Sequence, residues 1–419
     1  MSKHKLISWL PQLNHQVWIL AAGRLLSQIG SGFTLFYAPI FFVNQVGLSA
    51  TMVGIGLGSD SISGVVGRFL GGSFADSKFW GRRRTLLLAL AVSAVASLVL
   101  AYTSNFPIFI VGNLLMGLGI GLYWPATEAA VADLTTIEQR NEAFAITRLA
   151  DSMGLGLGVV FGGALIGTTS NYRALFVIDS ISFLVFFAIV YAAIAETRQF
   201  EESSTKQAGK GWAISFGDRR LLVYVLVNIL FTTYVAQIQS TIPLYFTNFI
   251  SGISSAKGFS SQIISILFTW HVVFAALCQL PVARSLNRFS RPRALTLSMM
   301  LFGVGFVLIW VTGVTATHPI IWAILALGIL AIATVAYTPS ASALVVDLAP
   351  ESLRGVYLSI NSQCWAVGYF IGPPVGGWAL DQSQTIAHGF WLVAAASISI
   401  GILILQYLDR ILPTKQLPE

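Results

Sequence analysis

Charge is what this chain lacks. Asp, Glu, Lys and Arg together make up 10% of its 419 residues, where a soluble domain carries about a quarter. Hydrophobic residues reach 55%, more apolar surface than a soluble fold can hide, so the sequence reads as a polytopic membrane protein. Cysteine is nearly absent too. Cys278 and Cys364 both fall inside apolar runs, so no disulfide framework follows. There is no nucleotide-binding glycine loop, no metal-spaced His/Cys/Asp cluster and no nucleophile constellation, which argues against an ATP-driven pump or an enzyme. No cofactor is expected, with a proton as the candidate coupling ion. A formal charge of +7 could suggest nucleic acid, but the cations lie in short turns between apolar runs, so none is expected as a partner. Met1–Gln16 is polar and basic without a small-residue cleavage site, so no removable signal peptide is expected.

What the chain has is apolar length. Runs of spanning size occupy about 17–44, 49–74, 85–104, 107–134, 142–167 and 173–195, then about 220–249, 260–283, 293–314, 319–346, 355–380 and 386–408. Crossing a bilayer takes ~20 helical residues, so several of these runs tilt or extend beyond it. Twelve spans put both termini on one side. If that side is the cytoplasm, Arg24, Arg68 and Arg148 are embedded, and only Arg173 and Lys257 lie outside. Every other Lys and Arg is cytoplasmic, a bias that sets the orientation. The expectation is an all-α membrane protein: a bundle over 1–195, a cytoplasmic linker over 196–219 and a second bundle over 220–419. The linker, with Glu201, Glu202, Lys206 and Lys210, reads as a flexible tether.

The two halves repeat each other. Pro39–Asn44 returns as Pro243–Asn248, an offset of 204, and Gly47–Asp76 aligns without a gap on Gly258–Asn287, an offset of 211. Tyr123, Pro125, Asp133 and Arg140 map at 214 onto Tyr337, Pro339, Asp347 and Arg354. At the same offset Gly154, Gly158, Gly162 and Gly163 fall on Gly368, Gly372, Gly376 and Gly377. Six-helix halves in equal orientation are parallel repeats about an axis along the membrane normal.

Embedded charges are the chemical signal, since each costs ~2.5–3.5 kcal/mol at a helix centre on insertion scales. The N-terminal half holds Arg24, Asp60, Arg68, Glu128, Arg148 and Asp151, with Asp179 nearer the outer side. Their repeat counterparts are Asn228, His271, Gln279, Ser342, Ser362 and Trp365. The halves share a pattern but not a charge, which places proton handling in the first. Asp60 sits near the middle of its run with no cation evident at its level, so it leads as the proton carrier. Glu128 lies five residues before Asp133, nearer the basic end, where an ion-pair network competes with proton transfer.

Between the second and third runs stands Gly72-Ser-Phe-Ala-Asp76-Ser-Lys-Phe-Trp-Gly81-Arg82-Arg83-Arg84. Gly72, Asp76, Gly81, Arg82 and Arg83 resemble the pattern G-x-x-x-D-R-x-G-R-R of the major facilitator superfamily, although Ser77 stands where that family has Arg and two extra residues precede Gly81. The stretch Gly368-x-x-x-Gly372-Pro373-x-x-Gly376-Gly377 is similar to the antiporter motif of that family's drug exporters. In the first half Val159 takes the proline position between Gly158 and Gly162. The arginine that many such exporters carry in the fourth helix is missing from Asn113-Leu-Leu-Met116-Gly117-Leu-Gly119. The resemblance implies a twelve-helix transporter of the plasma (inner) membrane, working as a monomer by alternating access of two rocking halves. It implies a gating role for the Gly72–Arg83 loop, with Asp76 as a latch. It also implies a substrate cavity lined by Phe33, Phe36, Tyr37, Tyr123, Trp124, Tyr234, Gln237, Gln239, Tyr337 and Ser340, and aromatic faces with a few amides suit hydrophobic or amphipathic small molecules. The expected activity is proton-coupled export. A lipid or glycolipid translocase, or a non-transporting scaffold or pigment-delivery protein on the same fold, are the alternatives.

Overall fold

The computed structural model describes residues 13–136, 139–197, 214–250, 258–286, 288–315, 317–350 and 353–412. Most of the 196–219 linker, with Glu201, Glu202, Lys206 and Lys210, lies outside them, as do Lys257 and Asn287. Helices account for the architecture, and no strand occurs among the described residues. In chain order they are α1 (His15–Leu35), α2 (Ala38–Asn44), α3 (Ala50–Asp76), α4 (Gly81–Ala101), α5 (Phe106–Asp133), α6 (Arg140–Thr169) and α7 (Tyr172–Ala193). Then follow α8 (Arg219–Asn248), α9 (Ser261–Leu286), α10 (Arg291–Val314), α11 (Pro319–Leu348), α12 (Arg354–Leu380) and α13 (Gln384–Ile411). Among the described residues ten helical stretches, α1 and α2 counted together, are long and apolar enough to cross a membrane. The other two long helices, α3 and α12, have the length, but their sequences are richer in glycine and polar groups.

The helices form two compact units. The first comprises Met1–Leu35 and Ser59–Glu201; the second comprises Phe36–Gly58 and Glu202–Glu419. In the first, α1 packs along α6, α4 along α5, and α7 against both α1 and α4. The second repeats the scheme: α8 along α12, α10 along α11, and α13 against α10 and α8. In lipid, burying a side chain gains little over leaving it among acyl chains, so close backbone approach and van der Waals packing must hold such helices together. The glycines supply it. A Cβ at Gly154 or Gly158 would strike the carbonyls of Leu25 and Ile29 on α1, and one at Gly162 would press on Phe33 at 3.0 Å. Likewise Gly368 meets Thr232, Gly372 meets Ala236, and Gly376 meets Thr241 and Gln237 on α8. Gly163 is buried on the same stretch as Gly162. Val159 is fully buried where α12 has Pro373.

The repeat is visible in the backbone. Gly47 and Gly258, equivalent by sequence, both adopt positive φ, +81° and +85°. Only glycine takes that conformation without steric cost. Pro125 and Pro339 sit inside α5 and α11 at matching positions. The compact units do not follow the linker: α2 and the first turns of α3 join the C-terminal helices. The reason is local contact. Phe36 stacks on Phe268 with ring centroids 4.4 Å apart, and Gly54 lies against the carbonyl of Pro373.

Candidate functional site

The charges collect in the first unit. α1 presents Arg24, only 1% exposed, to α6, where its Nε donates to Asp151 Oδ1 at 2.9 Å and its Nη2 to Asp151 Oδ2. A two-pronged guanidinium–carboxylate pair of this kind is the strongest way to hold a charge away from water. The guanidinium also lies over the Trp124 ring, 5.1 Å from its centroid. Among the described residues its remaining arm, Nη1, has no hydrogen-bond partner, and neither do the hydroxyls of Tyr123 and Thr127. Those two residues, four apart on α5, share one face of that helix, so the unsatisfied donors lie on the α1–α5–α6 side of the unit.

A second pair is looser. Arg148 on α6 reaches Glu128 on α5 at 3.6 Å, and both side chains are substantially exposed. Arg68 on α3 acts electrostatically on Glu128 and on Asp60. The sequence shows no cation beside Asp60; the fold brings the field of Arg68 to bear on it. Asp60 Oδ1 accepts from Ser61 Oγ at 3.1 Å. Around Asp60 the α3 and α5 backbones touch, because Gly117 leaves room for the Asp60 carbonyl. Asp179 on α7 is another isolated acid, fully buried, with Ser97 Oγ donating to Oδ2 at 2.6 Å and Oδ1 unpartnered.

The equivalent positions of the second unit form a neutral network. Asn228, in the place of Arg24, accepts from Tyr337 Oη at 2.6 Å and donates to Asn361 at 2.9 Å. Asn361 also accepts from Tyr224 at 2.6 Å. His271, counterpart of Asp60, pairs through Nδ1 with the Leu327 carbonyl at 2.9 Å. Gln237 donates to the Gly372 carbonyl at 2.8 Å, Gln239 accepts from Tyr369 at 2.7 Å, and Tyr234 pairs with Ser397 at 2.7 Å. Of the aromatics in the expected cavity, Phe33, Tyr123 and Trp124 belong to the first unit and Phe36, Tyr37, Tyr234 and Tyr337 to the second. Tyr37 and Tyr337 are each 1% exposed.

The basic turn is ordered by three acids. Arg82 is held between Asp76 Oδ1, 2.5 Å from its Nη1, and Asp133 Oδ2, 3.2 Å from its Nε. Gly81 has φ +72°, which starts α4 directly over Glu196, whose carboxylate accepts the backbone N–H of Arg82 at 2.8 Å and of Arg83 at 3.1 Å. Arg83 also donates to the Tyr191 carbonyl at 2.5 Å. Sequence reasoning missed Glu196 by assigning it to the linker. An acid at the end of a spanning run, facing a helix start that lacks its own cap, was the available signal. Gly72 stands in open space, with no neighbour within 4 Å of where a Cβ would be.

The sequence model of the Major Facilitator Superfamily matches residues 20–257 and 244–419. A Na(+), Li(+), K(+)/H(+) antiporter of Planococcus maritimus is 25% identical over 82% of this chain and 85% of its own. Multidrug resistance protein MdtH of Salmonella arizonae is also 25% identical, over 83% of this chain and 82% of its own. Among solved structures, nucleoside transporter NupG superposes with a TM-score of 0.79 at 13% identity, covering 95% of this chain and 100% of that one. At that identity the likeness concerns the fold alone.

Proposed function

Because the chain belongs to the Major Facilitator Superfamily, and is therefore a multi-pass membrane transporter and no enzyme, we propose that it exports a hydrophobic or amphipathic small molecule in exchange for protons. In this reading α3 and α12 complete twelve spans, both termini are cytoplasmic, and the protein resides in the inner membrane as a monomer. The observation that carries it is the state of the embedded acids. Asp151 is committed to Arg24 and Glu128 is paired loosely with Arg148, whereas Asp60 accepts from the Ser61 hydroxyl and feels the charge of Arg68. A carboxyl held by a hydroxyl in a spanning helix can exchange a proton at modest cost, while one locked in a buried ion pair, as Asp151 is, gives up that pair to do so. Asp60 is thus the carrier in this reading, and Arg24 with Asp151 keeps α1 and α6 in register. The neutral second unit fits a substrate without a strong fixed charge, held by aromatic faces and amides. The antiporter and multidrug names among the relatives support the direction and the substrate class.

The test uses inverted membrane vesicles under an imposed pH gradient with a panel of fluorescent amphipathic solutes. Asp60→Asn is expected to abolish gradient-driven accumulation while leaving substrate binding and gradient-independent exchange intact, since those need the conformational cycle but no net proton movement. Glu128→Gln is expected to be milder. Accumulation retained by the Asp60 variant and lost by the Glu128 variant reverses the assignment.

A further inference from the structure

α3 is one continuous helix with its two ends in different units, Ala50–Gly58 with the C-terminal helices and Ser59–Asp76 with the N-terminal ones. The contacts that hold its first turn are unusual in kind. Asp381, at the end of α12, accepts the Ala50 N–H on Oδ1 at 2.9 Å and the Thr51 N–H on Oδ2 at 2.7 Å. Both carboxylate oxygens are spent on two of the N–H groups that a helix start leaves without internal partners. The full negative charge also faces the positive end of the helix dipole. Just before α3, Asn44 and Asn248 exchange two amide hydrogen bonds, each 3.1 Å. These are the same asparagines that the sequence repeat equates. Beneath the carboxylate the helix backbones approach closely, Gly377 against the Ala50 carbonyl and Gly54 against that of Pro373.

This combination suits a joint that opens. Asp381 and Asn44 are exposed and Asn248 is half-buried, so water can replace each bond as it breaks. Around Ala50 and Gly54 the contact is glycine against carbonyl, which unpacks readily, and the Phe36–Phe268 stack is the side-chain contact to be undone. We propose that Asp381 is a positioning residue of the transport cycle. Its carboxylate on the start of α3, with the Asn44–Asn248 pair, clasps Phe36–Gly58 to the C-terminal unit, and releasing that clasp lets the segment rejoin the unit that holds the rest of α3. The inference rests on the chain being a transporter with alternating states; it is independent of which acid carries a proton and of the solute.

Nitroxide labels on Gln45→Cys and Thr385→Cys, both exposed sites, in a background with Cys278→Ser and Cys364→Ala, report the separation of the two sides by double electron–electron resonance. The parent is expected to show one dominant short distance. Removing a capping side chain changes a helix-end equilibrium by about fivefold, so Asp381→Ala is expected to raise the ratio of long to short distances by about that factor. Asp381→Glu, which can still reach both N–H groups, is expected to stay near the parent. Ser49→Ala supplies the control, because Ser49 Oγ accepts the Met52 N–H at 3.1 Å and so supports the same helix start without touching α12. An unchanged distribution in Asp381→Ala overturns the proposal. So does an equal shift in Ser49→Ala, which would reduce the effect to fraying of α3. Because the readout is a distance, the result stands even where the pH-driven transport assay fails.

Discussion

Arg24 illustrates what a single residue does in this protein. With two arms on Asp151, its face on Trp124 and a third arm unmatched, it is a buried cation whose balance depends on one carboxylate. Breaking such a pair from one side strands the other charge, which costs more than deleting both. Arg24→Gln is therefore expected to lower the unfolding temperature in detergent clearly, and Asp151→Asn likewise. The double variant is expected to recover part of the loss. Thermal unfolding of the three proteins checks this; additive losses would mean that the two residues do not act as a pair. Glu128 and Arg148, more exposed and 3.6 Å apart, are expected to contribute within the ~0–1 kcal/mol typical of solvated pairs.

Among the elements, α6 and α12 are built to bring backbone against backbone. Gly158 faces the Ile29 carbonyl and the Cα of Gly32, so even one added methyl has nowhere to go unless α1 moves. Gly158→Ala is expected to cost about 1–3 kcal/mol by overpacking and to shift the protein toward aggregate in fluorescence-detected size exclusion. Gly72→Ala provides the contrast. That glycine has open space around it and no positive φ, so the substitution is expected to leave folding and stability near the parent's. Equal damage from both would mean that glycine content, not close approach, is what matters.

At the scale of the whole molecule, α3 carries the basic turn after its last residue and the Asp381-capped start at its first. At the turn, Arg82 has Asp133 at 3.2 Å as a second acid beside Asp76, and Asp76 is three-quarters exposed. Asp76→Asn is thus expected to leave the protein folded while changing the population of transport states and lowering the transport rate. Labelling by a membrane-impermeant maleimide at single cysteines near the turn measures that shift; identical labelling of variant and parent would remove Asp76 from the conformational equilibrium.

Much of this was legible in the residues. Sparse charge and long apolar runs dictate a helical membrane protein, because a bilayer leaves the backbone no partner but itself. The repeat of Gly47 in Gly258 and of Pro125 in Pro339 foretold matching backbone features, since positive φ and a missing N–H are properties of those residue types wherever they stand. The division of charge between halves was equally plain, as it needs only an alignment of the chain with itself. The pairings were another matter. Nothing local joins Arg24 to Asp151 across 127 positions, or Asp381 to Ala50 across 331. Glu196 looked like linker until the turn at Gly81 aimed two N–H groups at it. Composition and periodicity are carried by neighbours along the chain, so they fix the helices and their lipid environment. Which acid is locked in an ion pair and which is held by a hydroxyl depends on helix ends and faces brought together from distant sequence, and only the tertiary structure decides it.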